Sequence, residues 1–210
     1  MVEKIIHVSK KGKELGGVDR YIAHTNNGVL HKGFMIVVKN PKNQIYIAKR
    51  AGKRPDLKNF PAPFPYQWDG SIAGHPRFGG SYFERMCGEL EEELGLKAEE
   101  KELKWVGEFY YNSVDPAQNN YGIIVREKEI CGVAIFYTEQ EPKPDPTELD
   151  AGEWIDAKEL KKQVNQFIKT NIVTKPNGHI DIKEFTLEER MFTPWLVKAH
   201  LFYPQIYAKK

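Results

Sequence analysis

From Tyr82 to Leu94 the apolar residues Phe83, Met86, Cys87, Leu90 and Leu94 recur at intervals of three and four, with Ser81 just before the run and Gly95 just after it. That spacing predicts an amphipathic helix over about residues 81–95, capped by Ser81 and stopped by Gly95. Such a stripe has to lie against other apolar surface. The segments able to supply that surface are strand-like. Ile5–Val8 and Leu15–Tyr21 read as an opening strand pair, so residues 1–32 form an N-terminal strand region. Gly33–Lys39 and Gln44–Lys49 flank Asn40-Pro41-Lys42-Asn43, the chemistry of a hairpin turn. Trp105–Tyr111, Glu129–Tyr137 and Glu153–Ile155 read as further strands, and a helix is expected from about Asp156. A C-terminal helical segment is placed at about residues 185–203, its helix starting near Thr193-Pro194-Trp195, where proline's missing N–H costs little. Strands and helices mix without regular alternation, which predicts an α+β or α/β sandwich around a mixed sheet. Gly52–Gln67 carries Pro55, Pro61, Pro63 and Pro65, so no helix runs through it, and its length suits a functional loop.

A chain of 210 residues fits a single domain, read here as residues 1–210. Its 31 basic and 29 acidic side chains are interspersed, leaving a net charge of +2 and no basic stripe for nucleic acid. The apolar run Gly33–Val38 is too short to span a bilayer, and Met1-Val2-Glu3-Lys4 does not open a signal peptide. Cys87 and Cys131 sit in apolar contexts and suggest no disulfide framework. A cytoplasmic protein without membrane or nucleic-acid partners is expected. No feature of the sequence specifies an oligomeric state.

Glu89, Glu92 and Glu93 stand at i, i+3 and i+4 on the predicted helix, on a flank beside its apolar stripe. Carboxylates this close repel one another, which favours a divalent cation such as Mg2+ or Mn2+, whose hard oxygen chemistry also suits phosphates. Spacing alone fits a solvated acidic face as well. The surrounding string, Gly74 to Leu96, resembles a Nudix box: Gly74, Glu89, Leu90, Glu92, Glu93, Gly95 and Leu96 fall on register. Gly80 stands where that pattern has its first Glu, and Gly88 where it has its Arg. The resemblance implies a Nudix-like α/β/α sandwich and metal binding by Glu89, Glu92 and Glu93.

From about Glu14 to Tyr203 the chain is similar to one branch in particular, type I isopentenyl-diphosphate isomerase. Arg20-Tyr21-Ile22-Ala23-His24-Thr25, Leu30-His31-Lys32-Gly33-Phe34, Trp68-Asp69-Gly70-Ser71-Ile72-Ala73-Gly74-His75-Pro76, Glu127-Lys128-Glu129 and Thr193-Pro194-Trp195 carry the likeness. It implies a metal site of His24, His31, His75, Glu127 and Glu129. Glu127 and Glu129 at i, i+2 would share one strand face. Three imidazoles with carboxylates suit Mn2+, with Zn2+ a further candidate. The likeness also implies diphosphate contacts by Arg20, Arg50 and Arg54, whose guanidinium groups clamp phosphate oxygens. Trp68, Tyr110, Tyr111 and Trp195 could line a pocket for a base ring or a prenyl chain, or serve as core aromatics.

The isomerase needs a proton-transfer cysteine before Gly-His-Pro, partnered by the second Glu of the Glu-any-Glu pair, here Glu129. This chain has Ala73, and a methyl group transfers no proton. At Glu89, where those isomerases tend to carry a basic residue, it keeps a glutamate. The expected function is therefore metal-dependent hydrolysis of a small diphosphate-bearing molecule. Glu93 or Glu92 is the candidate base, and Glu89 and Glu129 belong to the same machinery. The alternatives are an isomerase with a rearranged acid/base pair, for which Cys131 on the strand of Glu129 is a candidate, and a catalytically silent metal-binding module.

Overall fold

The computed structural model describes residues 3–52, 63–115, 124–174, 180–182 and 191–209. Strands β1 (Lys4–Val8) and β2 (Glu14–Asp19) form the expected opening pair. The chain then departs from the expectation of a strand to Tyr21: Arg20–His24 is a short helix, α1. Asp19 is the cause, because its carboxylate accepts from the Ile22 N–H at 3.1 Å and caps the turn. The hairpin of β3 (His31–Lys39) and β4 (Gln44–Arg50) closes as predicted. Asn40 Oδ1 accepts from the N–H groups of Lys42 and Gln44, each at 3.0 Å, and Asn43 takes the left-handed conformation (φ 59°) that asparagine tolerates.

Short strands β5 (Trp68–Asp69) and β6 (Ile72–Gly74) lead to α2 (Tyr82–Leu94), followed by β7 (Leu103–Val114), β8 (Arg126–Tyr137), β9 (Leu149–Asp156) and α3 (Ala157–Asn171). Strands β10 (Ile172–Thr174) and β11 (Ile180–Ile182) pair with each other. The last helix, α4, spans Pro194–Phe202. It is shorter than the segment placed at residues 185–203: Phe192 bridges Trp68 in extended form and Thr193 is the N-cap, while residues 185–190 lie outside the described residues. No helix among the described residues is long and apolar enough to cross a membrane.

The sheet is mixed. β3 runs parallel to β8 from His31↔Glu129 to Lys39↔Tyr137, β7 lies antiparallel to β8, and β4 lies antiparallel to β9. Alternation along the two central strands decides what covers each face. Phe34, Ile36, Val38, Ala134 and Phe136 pack with Met86, Leu90 and Leu94 of α2. Met35, Val37, Cys131, Val133 and Ile135 pack with Leu160 and Val164 of α3 and with Trp195 and Leu196 of α4. Helices therefore cover both faces, and β3 is buried almost throughout. The described residues form the expected α/β/α sandwich.

Candidate metal centre and adjoining cavity

Four elements deliver the five predicted ligands. His24 ends α1, His31 begins β3, His75 follows β6, and Glu127 and Glu129 lie two residues apart on β8. One ligand atom from each lies within 4.8 Å of all the others. His24 Nε2 is 3.1 Å from His75 Nε2 and 3.2 Å from Glu127 Oε2. Glu129 Oε1 lies 3.2 Å from His31 Nε2 and 2.8 Å from His75 Nε2. The ring centroids are 4.6–5.1 Å apart.

The backbone sets the direction of two of these rings. His24 Nδ1 donates to the Arg20 carbonyl at 2.6 Å, and His31 Nδ1 donates to the Val29 carbonyl at 2.7 Å. A carbonyl only accepts, so both protons sit on Nδ1, and the neutral rings aim Nε2 lone pairs at the carboxylates. Lone pairs facing carboxylate oxygens at such distances require a cation or an added proton between them. Glu127 Oε2 is buried without a hydrogen-bond partner, a further acceptor turned inward. The donor set thus fits a divalent ion of the Mn2+ or Zn2+ kind.

Without an ion the charges divide unevenly. Burial works to lower the pKa of His24, but the Glu127 carboxylate outweighs it and leaves the imidazole raised. Burial and the neighbouring His24 and His31 rings hold His75 well below the ordinary imidazole range. Burial opposes the charge of Glu129 too, yet contact with His31 keeps that carboxyl lowered. Tyr111, the cross-strand partner of Glu129, donates its hydroxyl to Glu129 Oε2 at 3.0 Å and fixes the carboxylate from the side away from the rings. Sequence reasoning had Tyr111 only as an aromatic. The strand parity shared by Tyr111 and Ser113 with Glu127 and Glu129 was the available signal.

A cavity of about 30 Å³ borders the cluster, lined by Arg20, Arg50, Ala73, His75, Glu129 and Trp195 among others. Of the residues expected to contact a diphosphate, Arg20 and Arg50 line this cavity, and Arg54 lies outside the described residues. Trp195 lines the cavity but is also buried core, donating its indole N–H to Asp69 Oδ1 at 2.6 Å. Trp68 does not line it. That residue joins β5 to the approach to α4 through backbone bonds with Met191 and Thr193, and its side chain packs against the core. Tyr110 is exposed. Cys131 reaches the same cavity, and burial with the nearby Glu129 charge pushes its thiol well up.

The helix carboxylates do not join the cluster: among the described residues the three histidines, Glu127 and Glu129 are the group that converges. Glu89 and Glu93 are buried and Glu92 is exposed. Arg85, which sequence reasoning passed over, grips both Glu89 and Glu92. Its Nη2 donates to Glu89 Oε1, and its Nη1 donates to both Glu92 oxygens at 2.9 and 3.0 Å. An Arg four residues before a Glu was a readable helical pair. At position 88 a Cβ would lie 3.5 Å from Arg85 Nη1, an ordinary contact, so the grip of Arg85 does not depend on the glycine. Burial raises the pKa of Glu89 against the pull of Arg85. Glu89 lies behind Gly74, which lines the cavity: a Cβ on Gly74 would lie 2.9 Å from its Oε1.

Comparison with known proteins agrees with this architecture. The isopentenyl-diphosphate Delta-isomerase 1 of Photorhabdus laumondii is 27% identical over 164 residues, covering 78% of this chain and 85% of its own. The isopentenyl-diphosphate Delta-isomerase of Haloarcula marismortui is 29% identical over 164 residues, covering 76% and 80%. The crystal structure of DR0079 from Deinococcus radiodurans superposes with a TM-score of 0.61 at 18% identity, over 96% of this chain and 99% of that one, a likeness of fold. The NUDIX domain model matches residues 29–175, most of the sheet together with α2 and α3, and on that match the chain belongs to the NUDIX domain family.

Proposed function

We propose that this protein is a metal-dependent hydrolase that cleaves the phosphoanhydride of a small diphosphate-bearing molecule. The observation that carries this reading is the wall of the cavity: Ala73 contributes a methyl group there, while Glu89 comes up against the adjoining Gly74. A methyl group at position 73, with the Glu89 carboxylate behind Gly74, suits attack on phosphorus better than proton transfer to carbon from that position. His24, His31, His75, Glu127 and Glu129 would hold a divalent ion, Mn2+ or Zn2+ by ligand type. The helix carboxylates would favour Mg2+ or Mn2+. When bound, such an ion supplies Lewis acidity for cleavage.

The protein's own groups have separable tasks in this reading. Arg20 and Arg50 bind and orient the diphosphate. Tyr111 holds Glu129 in place. Of the two candidate bases, Glu92 is exposed and paired with Arg85, which favours the buried Glu93. Isomerisation of isopentenyl diphosphate is the second reading. It is favoured by the similarity to isopentenyl-diphosphate Delta-isomerases and by Cys131, which lines the same cavity as Ala73 and Glu129.

Phosphate release from nucleoside, prenyl and thiamine-type diphosphates, assayed with Mg2+ or Mn2+, tests the proposal. Turnover of at least one class is expected, with a fall of about two to three orders of magnitude in Glu93→Gln. Unchanged turnover in that variant removes the helix from the mechanism. Robust isomerisation of isopentenyl diphosphate by the unmodified protein overturns the hydrolase in favour of the second reading.

A further inference from the structure

Asp69, the second residue of β5, is 2% exposed, and Arg50 of β4, Thr193 and Trp195 at the start of α4 and the Gly70 backbone N–H hold its carboxylate. Oδ1 accepts from the Trp195 indole N–H at 2.6 Å and from the Thr193 hydroxyl at 3.2 Å, while Oδ2 accepts from Arg50 Nη1 at 3.4 Å. Arg50 is in turn fixed on three sides. Nη1 faces Asp69, Nε donates to the Pro63 carbonyl at 3.0 Å, and the guanidinium lies over the Trp195 ring at 5.2 Å from its centroid. A guanidinium carries five N–H groups in a rigid fork, so these bonds leave most of them for the cavity that Arg50 lines.

A neutral amide at position 69 would serve Trp195 and Thr193 as well as a carboxylate does, and it would spare the interior a charge. Burial in fact pushes the Asp69 carboxyl up to about 6, against the pull of Arg50, Trp195 and Thr193. The one neighbour that calls for a negative charge is Arg50. We propose that Asp69 is a positioning residue for anion binding: its carboxylate, with the Trp195 ring as a plate, holds Arg50 so that the remaining N–H groups meet a diphosphate in the cavity. The inference rests on the reading that this cavity takes a diphosphate, and adds how its arginine is aimed.

Binding of imidodiphosphate, which is not hydrolysed, to the Mg2+-loaded protein separates the two claims by calorimetry. Arg50→Met should weaken binding about 100-fold, and Asp69→Asn about ten-fold, the range of a hydrogen bond to a charged group. The sign for Asp69→Asn is diagnostic. Removing a negative charge beside an anion site would by itself tighten binding, so weaker binding reports lost positioning. Equal or tighter binding in Asp69→Asn overturns the inference. Thr193→Val, which removes a neutral donor to the same carboxylate, should stay near the wild-type affinity. If it falls as far as Asp69→Asn, Asp69 merely ties β5 to α4 and the inference fails. Unchanged binding in Arg50→Met overturns it too, together with the diphosphate reading of the cavity, whereas a fall in Arg50→Met alone leaves that reading standing.

Discussion

Gly33 of β3 pairs with Cys131 of β8, and a Cβ at this position would lie 2.1 Å from Glu129 Oε2. The carboxylate of Glu129 thus occupies the place of a side chain, and only glycine lets it fold back over the neighbouring strand. Gly33→Ala should drive Glu129 away from His31 and His75 and remove the divalent ion while leaving the sheet intact. Metal content by elemental analysis alongside circular dichroism checks this, and a variant that retains a full complement of ion would show that Glu129 is not a ligand. Asp69 carries a prediction of the opposite kind. Arg50 of β4, Thr193 and Trp195 of the α4 N-terminus and the Cys131 thiol of β8 surround it, and its pKa stands at about 6 against an ordinary 3.8. A folded-state pKa raised above the unfolded one means that the neutral form is favoured by folding. That contribution is complete below about pH 4 and is lost as the pH rises through about 6. At pH 7 the ionised carboxylate therefore costs the fold on the order of 1–3 kcal/mol. Asp69→Asn should be more stable than wild type by about that amount at pH 7, and indistinguishable from it near pH 4, in urea unfolding at both values. A less stable variant at pH 7 would contradict the sign.

Helix α2 was legible because its signals are local and agree. The Ser81 hydroxyl accepts from the Glu84 N–H at 3.2 Å, Gly95 turns left-handed at φ 62°, and the apolar stripe between them meets the sheet. The hairpin of β3 and β4 was legible for a related reason, since its turn residues are local signals, whereas the five residues that converge were marked by the resemblance to the isomerase branch and not by residue type alone. Helix α1 was not, because Tyr21-Ile22 reads as strand and only the Asp19 cap, one residue in a polar stretch, argues otherwise. Arg85 was not legible from the pattern, which places its Arg at position 88, where glycine stands, whereas the guanidinium comes from one turn earlier. Asp69 and Cys131 were unreadable as neighbours because their meeting depends on how β5, β8 and α4 pack. The two glycines near α2 now separate by geometry. At Gly88 a Cβ would meet nothing closer than 3.5 Å, so Gly88→Ala should gain helix propensity of about 0.5–1 kcal/mol. At Gly74 a Cβ would lie 2.9 Å from Glu89 Oε1 and 3.0 Å from Phe34 Cζ, so Gly74→Ala should destabilise and displace Glu89. Chemical denaturation of both variants checks the pair, and a loss of stability at Gly88 would mean that Arg85 has no room to give.

On the scale of the whole molecule, the five clustered residues join α1, which lies outside the sheet, to strands that are already paired: β3 pairs with β8 along its full length, from His31↔Glu129 to Lys39↔Tyr137. The end of α1 is held by bonds such as His24 Nδ1 to Arg20 and by the bridge of Thr25 to Val125. An ion shared by His24, His31, His75, Glu127 and Glu129 would therefore add most where the sheet adds least. Stripping it leaves two ring nitrogens 3.1 Å apart facing buried carboxylates, an arrangement that relaxes only by taking up a proton or by opening. Binding to the folded state at about 100 times the dissociation constant contributes about 2.7 kcal/mol. For a domain of this size that corresponds to roughly 5–11 °C in Tm. Chelation should lower Tm by that amount, and Mn2+ or Zn2+ should restore it more fully than Mg2+, which prefers oxygen ligands to imidazole. Hydrogen exchange should localise the change, with protection lost in α1, the start of β3 and the start of β8, while α3 and β9, which carry none of the five residues, hold theirs. A uniform loss of protection, or a Tm that ignores chelator and metal alike, would remove the ion from any part in holding the fold.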